Sequence, residues 1–156
     1  TALSRYNECR NCIGVMYREA RELIQNCLVF SQKRKHNIDD VSKEWRNEVA
    51  YRTMLMLRTS VAVIQFQSDK LPAWDVPELS GPECEYWPPN ASARRHGQTS
   101  NSGSVFTNSM RVPLQMAYLL RQSICSQEER LSNPLGVPQE MKLLGSVDSF
   151  LNGYYG

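Results

Sequence analysis

Apolar residues recur at steps of three and four along much of this chain, the period of amphipathic helices. Over residues 3–31, Ile13, Met16, Tyr17, Ala20, Leu23, Ile24, Cys27 and Leu28 fall on one face, with Arg18, Glu22, Gln25 and Asn26 elsewhere. A second helix is predicted over 39–67. It opens where Asn37 to Asp40 offer short polar caps, and where acids suit the positive end of the helix dipole. Its latter half, Met54 to Phe66, is apolar on almost every side, broken by Arg58, Thr59, Ser60 and Gln65. Such a stretch must be buried on more than one side. It is also shorter than the roughly 20 residues a bilayer requires, so no transmembrane span is expected.

Between 70 and 109 the period disappears. Pro72, Pro77, Pro82, Pro88 and Pro89 alternate with glycines, serines, threonines and asparagines, which predicts one long irregular loop. Trp74, Tyr86 and Trp87 are expected to pin its earlier half. Ser92 to Ser104, with little to bury, is expected to be mobile and the first place proteases cut. Two more helices are predicted, over 112–131 and 138–155. The first opens at Val112-Pro113, because proline suits a first helical turn, and carries Leu114, Ala117, Tyr118, Leu120 and Ile124. The second places Met141, Leu144, Val147, Leu151 and Tyr154 on one stripe. No alternating strand pattern or internal repeat appears. The expected fold class is all-α: four principal helices in one bundle-like domain spanning 1–156, with one long irregular loop.

Composition narrows the function classes. A formal net charge of +2 with 22% charged residues gives no electrostatic drive toward nucleic acid, which is therefore not an expected partner. The basic run Lys33-Arg34-Lys35 reads as cations favoured at a helix C-terminus. The five cysteines are odd in number and widely spaced, which suits a reducing setting. Cys9 and Cys12 form a C-x-x-C, but a zinc site needs a second pair or suitably spaced histidines, and the two histidines are His36 and His96. No metal and no cofactor are expected in this segment. Neither histidine sits beside a nucleophile, and motifs for phosphate loops, dinucleotide sites, zincins and nucleophile elbows are missing. The paired acids Asp39-Asp40 and Glu128-Glu129 fall at helix ends, where capping explains them. No catalytic residue is assigned, and the chain reads as non-enzymatic. It begins with Thr1 and reads as a piece of a longer protein.

The N-terminal stretch carries Arg5, Tyr6, Glu8 and Arg10, where Arg5 and Glu8 are spaced to pair and Tyr6 and Arg10 to stack. This pattern of Arg, aromatic, Glu and Arg resembles the signature that ends the second transmembrane helix of bestrophins. Leu55 to Val61, with Arg58 at its centre, is similar to a later cytosolic helix of that family. Asn108 to Pro113 and the helix that follows resemble the segment after its variable loop, and Met141 to Tyr155 the helix leading back to the third membrane span. The resemblance covers most of the chain except 78–107.

It implies the water-facing vestibule wall of a homopentameric channel for chloride or bicarbonate, with the parent embedded in a membrane. Calcium would then bind in parts of the parent outside this chain. The polar central loop is closer to the plant and algal branch, which implies a thylakoid membrane. Arg58, interrupting the most apolar stretch, is expected to be a buried or interface cation with an acidic or carbonyl partner. A neighbouring subunit is expected to cover the apolar half of the second helix. The alternative is a freestanding helical protein-interaction module that docks through that same helix.

Overall fold

The computed structural model describes residues 2–32, 40–79, 83 and 102–155. The chain is all-α. Its helices are α1 (Ala2–Phe30), α2 (Asp40–Asp69), α3 (Ser102–Ser109), α4 (Val112–Cys125), α5 (Gln127–Arg130) and α6 (Val137–Tyr155), with a 3₁₀ turn at Ala73–Asp75. Among the described residues there is no strand, and no helix is long and apolar enough to cross a membrane. Where the sequence suggests one domain, the chain divides into two compact units: Thr1–Met54 with Ala117–Gly156, and Leu55–Met116. Lys33-Arg34-Lys35, Tyr86, Trp87 and the polar stretch from Ser92 up to 101 lie outside the described residues.

In the first unit, α1 buries Met16, Ala20, Leu23 and Cys27, a single seam at steps of four, three and four. Tyr17 and Leu28, expected on the same face, are exposed. They sit one position further round the helix, just past the edge of that seam. The C-terminal part of α6 lies against α1. A Cβ on Gly153 would come within 2.9 Å of a Val15 methyl and 3.2 Å of the Cys12 carbonyl oxygen, so glycine here permits close helix approach. The buried stripe of α6 is Leu143, Ser146, Val147, Phe150 and Gly153, rotated from the expected one, and Met141 is exposed. Hydrophobicity alone misplaces the stripe because the small residues Ser146 and Gly153 mark the closest packing.

The helix expected over 112–131 breaks at Ser126, whose hydroxyl donates back to the Ser123 carbonyl at 2.8 Å. Gln127 then turns inward. Its buried side chain accepts from the Leu135 N–H at 2.6 Å and donates to Glu140 at 2.9 Å, fastening the connection to the start of α6. There the Gln139 side chain accepts from the Gly136 N–H at 3.0 Å, one arm of a capping box.

In the second unit, α2 buries Leu55, Met56, Leu57, Val63 and Phe66. The hydroxyls of Thr59 and Ser60 are buried among them and donate to the carbonyls of Leu55 and Met56, both at 2.8 Å. Polar residues are tolerated there because their hydrogen bonds close on the helix itself. Most of this apolar stretch is buried within the chain itself, while Met54 and Ile64 stay exposed. α2 ends at Lys70, whose φ of 55° is left-handed while its N–H still reaches the Phe66 carbonyl at 2.9 Å.

Within the expected loop, Ser102–Ser109 is helical. Its polar composition hides two tertiary anchors: the Phe106 ring lies 5.5 Å from that of Phe66, and the Ser109 hydroxyl accepts from the buried Ala73 N–H at 2.7 Å. Trp74 is half-buried in the turn before it.

Candidate functional site

Residues 10, 14 and 18 follow one another at steps of four, so they stack along one face of α1. Arg10, Asn11, Gly14, Val15 and Arg18 line an open trough of about 680 Å³ on this helix. Nothing lies within 4 Å of where a Gly14 Cβ would stand, which leaves bare helix backbone between two guanidinium groups. Among the described residues Arg10 has no ion-pair partner. Arg18 reaches Glu19 at 3.2 Å, and its side chain stays 55% exposed. Two exposed cations on a bare surface attract anions. In water a unit pair at 4 Å is worth only about 1 kcal/mol, so this trough suits brief encounters better than tight retention.

A second polar cluster is partly shielded from water and joins α2 to α4 and α5. Glu48 and Arg52 are four apart on α2, acid before base, which is the favourable helical order. They pair at 3.2 Å, and Arg130 reaches the other oxygen of Glu48 at 2.5 Å. The Ser123 hydroxyl donates to Glu48 at 2.6 Å. The same hydroxyl accepts from Arg52, which also donates to the Leu119 carbonyl, each at 2.7 Å. Beside them the indole of Trp45, fully buried, donates to the Ser123 carbonyl at 2.7 Å. Burial is the largest single influence on the Glu48 carboxyl and pushes its pKa up. The bonds from Ser123 and Arg130, with the charges of Arg52 and Arg130, together outweigh it and hold the group below its ordinary 4.5. This cluster is closed on itself and holds three elements in register.

The residues singled out from the sequence fall in different places. Arg5, Tyr6 and Glu8 are exposed on the first turns of α1. Glu8 accepts from the Ser4 hydroxyl at 3.2 Å rather than pairing with Arg5, and Tyr6 does not stack on Arg10. Arg10 alone of the four lines the trough. Arg58 has the acidic partner expected, Glu78 at 3.3 Å, but its side chain is 42% exposed. It is therefore not a buried cation: the polar side of α2 faces water at that position. Asn108 is exposed near the end of α3, where its carbonyl accepts from the Arg111 N–H at 3.1 Å. Pro113 is buried in the first turn of α4.

Gly14, Arg18 and the Glu48 cluster carry only weak signals in the sequence. Their signals, a step of four around a glycine and an acid four residues before an arginine, are present but common. Among the described residues no group of three metal-ligating side chains comes together. No protein-family model, curated protein or solved structure matches this chain.

Proposed function

We propose that this chain forms part of the water-facing wall of a bestrophin-type anion channel, with the α1 trough as a stretch of the anion path. The reading rests on the cationic trough, together with the order of the short motifs at Arg5 to Arg10, Leu55 to Val61 and Asn108 to Pro113. A conducting wall must attract an ion without holding it, and exposed guanidiniums screened by water meet that requirement. Chloride or bicarbonate is the proposed passenger, and a closed ring of copies, five in the proposed parent, the assembly.

The test is chloride efflux from vesicles containing the full-length protein. Efflux should appear, and Arg10→Gln should slow it about two- to threefold, the loss expected from removing one exposed charge. Absent efflux, or efflux indifferent to Arg10, refutes the proposal.

A specific observation favours one second reading, the interaction module. α1 exposes Leu3, Tyr6, Tyr17 and Leu28. A docking surface would therefore lie on α1, since α2 buries Leu55, Met56, Leu57, Val63 and Phe66 and leaves only Met54 and Ile64 exposed among the large apolar side chains of that half.

A further inference from the structure

Cys9 and Cys12 lie three residues apart on α1, the first exposed and the second half-buried. Cys12 is anchored. Gly153 of α6 approaches it so closely that a Cβ there would stand 3.2 Å from the Cys12 carbonyl oxygen. Cys9 is one turn further out, where residues 3–11 are all exposed, so its side chain has room to change rotamer. The remaining described cysteines differ: Cys27 is buried, and Cys125 shares a hydrogen bond with Glu140. Helix positions three apart bring their Cβ atoms to about 5–6 Å. A disulfide needs about 3.5–4.5 Å, so the pair does not close on itself while the helix stays intact. An ion between the sulfurs suits the spacing better. Thiolate–metal bonds are about 2.3 Å at zinc, so a bridging ion holds two sulfurs up to about 4.6 Å apart and leaves the helix as it is.

Zinc itself is the wrong ion. It asks for four ligands, and among the described residues no third His, Cys, Asp or Glu joins the pair. Glu8, next in sequence, instead accepts from the Ser4 hydroxyl at 3.2 Å. Copper(I) is soft, prefers thiolates and is satisfied by two of them in line. We propose that Cys9 and Cys12 form a two-thiolate site for this ion. Binding forms two S–Cu bonds, breaks two S–H bonds and releases two protons to solvent with no change in oxidation state, so the complex carries one negative charge. Arg5, four residues before Cys9 and seven before Cys12, shares their face and supplies the counter-charge. The proposal does not rest on anion conduction.

Titration of the full-length, reduced protein with copper(I) in the absence of oxygen, against the coloured chelator bathocuproine disulfonate, tests it. One ion should bind per chain, more tightly as pH rises, with helix content by circular dichroism unchanged. Cys9→Ser and, separately, Cys12→Ser should each weaken binding about a hundredfold or more, and Cys125→Ser should leave it as it was. Zinc should bind at least about a hundredfold more weakly than copper(I). Should Cys12→Ser, the more buried of the two, fail to fold, Cys9→Ser decides. No copper taken from the chelator, copper retained by folded Cys9→Ser, one ion shared between two chains, or helix lost on loading overturns the proposal.

Discussion

Replacing Glu48 by glutamine removes one negative charge and leaves the outline of the side chain nearly intact. The Gln oxygen still accepts from Ser123 and Arg52, but the new amide points N–H groups at the Arg130 guanidinium, which already donates to that position. Two cations lose their counter-charge. Exposed pairs contribute about 0–1 kcal/mol, and breaking a fully buried one costs about 3–5 kcal/mol. The side chains here are only 22–28% exposed, so the loss should fall between those limits, near 2 kcal/mol. For a chain of this length that is a drop in Tm of about 4–8 °C.

The pH dependence has a definite sign. The folded Glu48 carboxyl titrates below its ordinary 4.5, so the unfolded chain binds the proton first on acidification. Its stabilisation is present above that ordinary value and disappears as pH falls through the lower folded value. Urea unfolding at pH 7 and at pH 3.5 is the assay, with Arg130→Met as the second arm of a double-mutant cycle. The gap between wild type and Glu48→Gln should narrow on acidification. A loss below about 0.5 kcal/mol at pH 7, or a gap unchanged by pH, would refute the reasoning.

Three glycines on long helices separate packing from propensity. Gly153→Ala should lower stability by about 1–2 kcal/mol, because the contacts with Val15 and the Cys12 carbonyl outweigh the better helix propensity of alanine. Gly14→Ala and Gly145→Ala meet nothing within 4 Å and should each raise stability by up to about 1 kcal/mol in chemical denaturation. Cys27 is buried with its thiol pushed up to about 12 by that burial, which the charge of Arg46 only partly offsets. A thiol reagent at neutral pH should therefore label exposed Cys9 rapidly and Cys27 only on unfolding, as peptide mapping will show. Trp45→Phe should cost about 2 kcal/mol in thermal melts, since it opens a void and leaves the Ser123 carbonyl without its indole donor.

Much of the helical layout was legible, because Met16, Ala20, Leu23 and Cys27, or Val147 within α6, repeat at a period that only a helix satisfies. What hydrophobicity could not reveal was where helices come closest. Gly153 and Ser146 carry no apolar mass, yet they define the packed face of α6. The helix at Ser102–Ser109 was hidden for a related reason: its serines, glycine and asparagine favour turns in isolation, and its conformation is tied to Phe66 and Ala73, distant in sequence. Of the site, Arg10 and Arg58 stood out as charges in otherwise patterned stretches. The trough itself depends on the absence of a side chain at Gly14. The Glu48 cluster joins α2 to a serine more than seventy residues away, and no local pattern announces that.

Whether the α1 trough lies along an anion path is read from the reversal potential of the full-length protein in a planar bilayer under a chloride gradient. The current should be carried by anions, and the chloride-to-cation permeability ratio should fall severalfold when both Arg10 and Arg18 become glutamate. An absence of anion current, or a ratio unmoved by the double charge reversal in a correctly assembled protein, would contradict a place for the trough on that path.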